Sequence, residues 1–457
     1  MSELSRRAFL KRLSCLTAAG VASPLSLNMM AAAEAATQTA TDYKALVCVF
    51  LDGGNDQCNT LIPIDTTNYN SYKKIRQEIA LDQSSVLPLI PKHDLPNGLK
   101  LGFHPQLKKL NSLFHLKKVA VLQNVGSLVE PTSLVQYHNK SVALPQKLFA
   151  HNSQKDIWDT TASQAFREGW GGKIGDLILQ QNAQSMFTCI STADNSLFLT
   201  GKRATGINVS SDGIVPILAA KEDSWLYGSQ KAASALRKII TSPRSNVMEN
   251  HINLVNRRSM EAERLMSSAF LDFNDLSTPF TAGNSLADQL KTVARLIKSR
   301  DTLGVKRQVF FVKVGDFDTH SDLLNRHGRL MAVVDDALSS FYQATEELGV
   351  TQNVTTFTTS DFGRTFSSNG DGSDHGWGSH HIIMGGAVNG RAFYGQAPEV
   401  GLGTAQDIGQ GRWLPTTSID EYSGVLARWF GVPERDLELI APNFYRFGQQ
   451  NLKFMNS

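Results

Sequence analysis

The stretch "VKRQVFFVKV", residues 305–314, is followed by "GDFDTH", 315–320, by the long run "LLNRHGRLMAVVDDALSSFYQATEELG", 323–349, and by "NVTTFTTS", 353–360. Two short apolar runs rich in Val, Phe and Thr flank a segment whose apolar residues recur with helical spacing, so the order is strand, helix, strand. Strands joined through a helix of this length lie parallel in one sheet, because a tight turn cannot bring the chain back in the same direction. The fold class that follows is α/β, with a mainly parallel central sheet flanked by helices.

Working outward, "YKALVCVFLDGGNDQCNTLIP", 43–63, opens with a continuous apolar run that stops at Asp52-Gly53-Gly54. An uninterrupted apolar run of this length is the pattern of a strand buried on both faces. "LKKVAVLQNVG", 116–126, is a further strand ending near Asn124 and Gly126. Between roughly 170 and 300, small-residue loops alternate with helical stretches such as "MENHINLVNRRSMEAERLMSSAF" and "SLADQLKTVARLIKSR". No internal repeat is present.

The 457 residues are 41% hydrophobic and 19% charged, the balance of a globular chain. The start, "MSELSRRAFLKRLSCLTAAGVASPLSLNMMAAAEAATQ", has a basic region, an apolar stretch and small residues at possible cleavage sites such as Ala33-Glu34-Ala35. Within it "SRRAFLK", with Arg6 and Arg7, reads as a twin-arginine signal over residues 1–35. The expectation is export by the twin-arginine machinery to the periplasm or beyond, in a form already folded. Those residues hold four Lys/Arg and two Asp/Glu, so 45 and 42 become 41 and 40 and the mature chain carries +1. Nothing in that balance points to nucleic acid or to a general affinity for anionic membranes, and no mature segment is apolar for long enough to span a bilayer. Cys48, Cys58 and Cys189 remain after removal of Cys15; an odd number leaves at least one unpaired, and Cys48 reads as a small buried hydrophobe.

Asp52, Asp316, Asp318 and Asp361 all follow strands. The C-terminal ends of parallel strands line one crevice, where residues distant in sequence meet. Several carboxylates there would repel one another unless a cation sat among them. His320 and His375 add nitrogen donors, and mixed oxygen and nitrogen ligands suit Zn or Mn better than Ca. Taken singly, each aspartate reads more readily as a helix cap or turn former; it is their coincidence that points to a metal. His327, flanked by Arg326 and Arg329, is expected on the exposed face of its helix. His380 and His381 are adjacent, so on a strand at most one faces the crevice. In "TTSDFGRTFSSNGDGSDHGWGSHH", 358–381, Asp361 is thus the strand-end ligand, "GRTFSSNGDGS" a mobile connection, and His375 the residue expected to reach back. Arg364 either contacts an anionic substrate or pairs with a neighbouring aspartate.

The segments "FLDGGNDQCNTLIP", "NVGSLVEPTSLVQY", "LFAHNSQKDIW", "GWGGKIGD", "GDFDTH", "SDFGRTFSSNGDGSDHGWGSHHIIMGGAVNGRAFYG" and "TTSIDEYSGVLARWFGV" resemble an exported bacterial family catalogued as domain of unknown function fifteen hundred and one. The resemblance runs from about 44 to 448, one domain. That family is similar to the alkaline phosphatase and sulfatase superfamily. The resemblance implies one or two divalent metals, with Asp52, Asp318, His320, Asp361 and His375 as ligands and Asp374 and Asp316 as runners-up. It also implies hydrolysis of a phosphate or sulfate ester, on a small anionic molecule or an envelope polymer. Two segments depart from the family pattern: Ala150 and Ser153 stand in "FAHNS" where a serine and an aspartate are usual, and Asp316 in "GDFDTH" stands in a glycine position. Thr132 or Ser133 in "EPTS" is then the candidate nucleophile, each also readable as an ordinary helix cap. Ala150 also implies the alternative of an inactive member that keeps the fold to bind a ligand or a protein.

Overall fold

Alternation along the first strand decides the layering. Lys44–Leu51 (β1) sends Ala45, Val47, Val49 and Leu51 into one hydrophobic cluster and Leu46, Cys48 and Phe50 into another, on the opposite face of the sheet. Each fully buried Val, Leu or Phe contributes roughly 1.5–3 kcal/mol relative to exposure, which is why the run has no polar residue after Lys44. The computed structural model describes residues 42–161, 168–211, 213–271, 276–448 and 452–456, and those from Tyr43 onward belong to one compact unit. The export signal expected over 1–35 lies outside the described residues.

The other strands are Leu61–Pro63 (β2), Leu87–Pro88 (β3), Leu101–Phe103 (β4), Val119–Gly126 (β5), Cys189–Ser191 (β6), Ile207–Asn208 (β7), Arg307–Val314 (β8), Val354–Ser360 (β9), Ser379–Gly385 (β10), Phe393–Tyr394 (β11) and Thr417–Ser418 (β12). The main sheet has the order β11-β5-β10-β9-β1-β8-β6-β7, with β12 also on β5. Every pairing in it is parallel except those of β10, which runs antiparallel between β5 and β9. β2, β4 and β3 form a small antiparallel sheet. The strand-helix-strand unit is as read: β8 leads through the helix Leu323–Glu347 to β9, and β1 lies between them, parallel to both.

The helices Ser285–Lys298 and Leu323–Glu347 cover one face, where Leu290, Val293, Leu338 and Phe341 join the cluster that receives Val47 and Val49. The helix Ile419–Phe430 covers the other with Tyr422, Leu426 and Phe430. Among the described residues no helix is long and apolar enough to cross a membrane. Cys48, Cys58 and Cys189 are all buried and free.

One expectation about this helical layer is overturned. His327 is buried, 1% exposed, and donates from Nε2 to the side-chain oxygen of Asn55 at 3.0 Å. It shares its stripe with the buried Leu323, Met331 and Val334, at spacings of four, four and seven residues. Helical period, not the charge of its sequence neighbours, decided its face.

Candidate metal centre

Registration of the strands brings the site together. Leu51 pairs with Val314 on one side and Ser360 on the other, so the residues that follow β1, β8 and β9 emerge side by side. Gly53 turns the chain away with φ 116, and its N–H donates to Asp361 Oδ1 at 3.0 Å. A Cβ at Gly53 would lie 2.5 Å from the backbone nitrogen of Asp318, so the close approach of these two ends requires glycine. After β8, Asp316 takes φ 70, a left-handed conformation that aspartate tolerates better than most residues.

Asp318 is the hub. Its carboxylate lies 3.1 Å from His320 Nε2, 3.4 Å from His375 Nε2, 3.6 Å from His151 Nε2 and 2.9 Å from the Arg364 guanidinium. His151, Asp318 and His375 each present one donor atom, all within 4.8 Å of one another. His320 Nε2 is 2.9 Å from His375 Nε2. Burial works to raise the Asp318 pKa, but Arg364 and the surrounding imidazoles hold it below the usual carboxylate value.

The far side of each ring fixes its tautomer. His375 Nδ1 faces the carbonyl oxygen of Phe149 at 2.7 Å, His151 Nδ1 faces Asp361 Oδ2 at 2.7 Å, and His320 Nδ1 faces Asp374 Oδ1 at 3.2 Å. A carbonyl or carboxylate oxygen only accepts, so each Nδ1 carries a proton and donates it. In the neutral rings, Nε2 of all three is therefore a lone pair directed at the cluster. Two such lone pairs 2.9 Å apart, on His320 and His375, repel unless a proton or a cation lies between them. The hydrogen bond to Asp361 raises the pKa of His151, whereas burial lowers that of His375.

The residues expected from sequence separate into three positions. Asp318, His320 and His375 stand together. Asp361, 1% exposed, reaches the cluster through His151, and Asp374 reaches it through His320. Asp52 instead faces Lys155 Nζ at 3.8 Å and Lys313 Nζ at 3.6 Å. Asp316 is exposed and gives its carbonyl to Arg326. Arg364 is fully enclosed: besides pairing with Asp318 it donates to Ser373 and to the Gly53 carbonyl at 3.1 Å, the aspartate partnership rather than an open anion contact. Ser133 caps the helix Leu134–Asn139 in a reciprocal arrangement with Gln136, and Thr132 donates to the Glu130 carbonyl at 2.9 Å. His380 accepts from Asn124 N–H, and His381 packs between Trp158 and Tyr422; both are buried away from the cluster.

The connection after Asp361 is pinned, contrary to the mobile loop expected. Thr365 N–H donates to the Asp374 carbonyl and Phe366 N–H to that of Gly411, each at 2.9 Å, while Phe366 is buried. Asp371 accepts from the backbone of Asp322 and Leu323, capping the helix that follows "GDFDTH". This capping holds Asp374 and His375 against His320.

His151 is the member that sequence reasoning passed over. It opens the helix His151–Thr160, whose N-cap residue is Ala150, and Lys155 follows on the same face one turn later. No strand end announces it; its only signal was a histidine inside "LFAHNSQKDIW".

Histidines and an aspartate carried at the ends of a mainly parallel sheet thus form a cluster that could hold a metal ion. The chain belongs to the family described as protein of unknown function (DUF1501), whose model matches residues 43–419. No curated protein sequence matches it. Similar solved structures include the lipoteichoic acid synthase LtaP from Listeria monocytogenes, 9% identical, covering 89% of this chain and 76% of that one with a TM-score of 0.33. The sulfatase PsFucS1 from a Pseudoalteromonas species is 11% identical over 91% and 73%, with a TM-score of 0.29. The C-terminal periplasmic domain of EcEptC from Escherichia coli, in complex with Zn, is 9% identical over 76% and 74%, with a TM-score of 0.31.

Proposed function

We propose that the chain is an exported metal-dependent hydrolase that cleaves a phosphate or sulfate ester, with one divalent ion, Zn or Mn, held by His151, Asp318, His320 and His375. The observation that supports it most is the orientation of three imidazoles by acceptors behind them, Phe149 O, Asp361 and Asp374, which leaves three Nε2 lone pairs facing one carboxylate. Histidines that ligate metal characteristically donate their other N–H in this way. A bound divalent ion would supply Lewis-acid stabilisation of charge on the ester group. Arg364 keeps Asp318 ionised and aimed, and Asp361 and Asp374 hold the rings. Lys155 and Lys313 leave Asp52 compensated without a second ion. The test is turnover of a panel of phosphate and sulfate esters by the exported protein, with and without chelator; chelator-insensitive turnover contradicts the reading.

Protons compete with metal for imidazole, so affinity falls with pH. Because Asp361 raises the His151 pKa above its ordinary value near 6.5, that loss begins above about pH 6.5 in the wild type. Asp361→Asn lowers the His151 pKa, moves the onset to lower pH, and weakens binding at pH ~8 by roughly 10–100-fold. Competition titration with a metallochromic indicator across pH measures both effects.

A second reading, an inactive member that binds a ligand or partner, is favoured by one observation. Ala150 sits at the N-cap of the helix that carries His151 and makes no side-chain cap. Both remaining hydroxyl candidates, Thr132 and Ser133, have hydrogen-bond partners of their own. Under the hydrolase reading, Thr132→Ala or Ser133→Ala lowers turnover at least about a hundredfold. Metal bound without turnover, unchanged by either substitution, favours the second reading.

A further inference from the structure

Residues 231–258 contain six Lys/Arg and one acidic residue, Glu249, a net +5; the whole chain is +3, so all other residues together sum to −2. The same 28 residues expose Ile239, Val247, Met248, Ile252, Leu254 and Val255, six of the eighteen large hydrophobics exposed among the described residues. Val247 is 81% and Met248 74% accessible. Charge and apolar surface are thus concentrated on one element.

That element is a helical hairpin, Gln230–Thr241 followed by Val247–Leu271. The buried Asn253 closes it, donating to the carbonyls of Ile239 and Ser242 at 2.9 and 2.6 Å. Met248, Ile252 and Val255 form a stripe at four- and three-residue spacing, which continues along the same helix to Ala262, Met266 and Ala269. The last three enter the hydrophobic core; the first three are bare. The chain itself covers only the second half of one apolar seam. Lys238, Arg244 and Arg257 are exposed on the same hairpin.

We infer that this hairpin docks on an anionic phospholipid surface, with Met248, Ile252 and Val255 entering the boundary between headgroups and acyl chains and the hairpin's excess of Lys and Arg drawing it to the surface. An exposed aliphatic stripe on a helical element rich in Lys and Arg is the pattern of helices that lie in a membrane interface. A coiled coil with a second copy needs three to four heptads, and the bare stripe offers three side chains before the core takes it over. Nucleic acid is disfavoured because the exposed apolar residues of the hairpin are aliphatic, without rings for bases to stack on.

The test is co-sedimentation of the whole protein with vesicles of phosphatidylcholine, with and without phosphatidylglycerol, at low and high salt. The expected result is binding to the anionic vesicles alone, weakened by salt. The partition coefficient falls at least about tenfold both in Met248→Ser/Ile252→Ser/Val255→Ser and in Lys238→Gln/Arg244→Gln/Arg257→Gln. Circular dichroism of each variant shows retained fold, since all six side chains are exposed. No sedimentation of the wild type with anionic vesicles, or equal sedimentation of the variants, overturns the proposal. So does a vesicle-free dimer of the wild type that the serine variant dissociates, which assigns the face to a second copy.

Discussion

If the cluster holds the proposed ion, Asp318→Asn abolishes its binding while leaving most of the fold in place. Among the described residues, Asp318 is the one carboxylate within 3.6 Å of the Nε2 atoms of His151, His320 and His375. Loss of a partner behind a ligand typically costs 10–100-fold in affinity, so loss of the shared carboxylate costs more than about a hundredfold. Equilibrium dialysis against Zn or Mn measures it. Arg364 loses its pairing charge but keeps its hydrogen bonds to Ser373 and Gly53, and Asp318 is 44% exposed, so the accompanying destabilisation is small. His320→Ala loses less, because that ring is itself 44% exposed and two other imidazoles remain.

Asp56→Ala has the largest effect on stability. Asp56 and Arg76 pair with neither side chain accessible to solvent, just after the turn that carries Gly53 and Gly54. Removing the aspartate leaves a buried guanidinium held by the Thr365 carbonyl alone, and also strips the cap from the short helix Gln57–Thr60. Leaving such a charge uncompensated costs about 3–5 kcal/mol, and the lost cap about a further 1 kcal/mol. The midpoint of urea unfolding measures the sum. The apolar pair Asp56→Leu/Arg76→Met recovers most of the loss, because it buries no charge. The two substitutions therefore couple strongly in a double-mutant cycle.

The mainly parallel sheet was legible because β1 is a continuous apolar run, and because β8 and β9, rich in Val, Phe and Thr, flank one long helical repeat. The gathering of strand-end residues was legible too: once the strands align, Asp318, His320 and Asp361 emerge into one crevice. Whether an aspartate there faces the cluster or a lysine was not legible. Asp52 and Asp318 follow strands in similar ways, but Lys155 and Lys313 converge on the first from a helix and from β8. His151 was hidden because it opens a helix after a loop, where no periodicity places it. Histidine burial was misjudged at His327, where flanking arginines outweighed the stripe that runs from Leu323 to Val334.

The central claim is that His151, Asp318, His320 and His375 hold one divalent ion. Elemental analysis of the exported, folded protein, paired with thermal unfolding in the presence and absence of chelator, tests it most directly. The account predicts one Zn or Mn per chain and a lower Tm once the ion is removed, since an ion bound only by the folded state stabilises it. Protein that carries no divalent metal, and whose Tm does not respond to chelator, would contradict it.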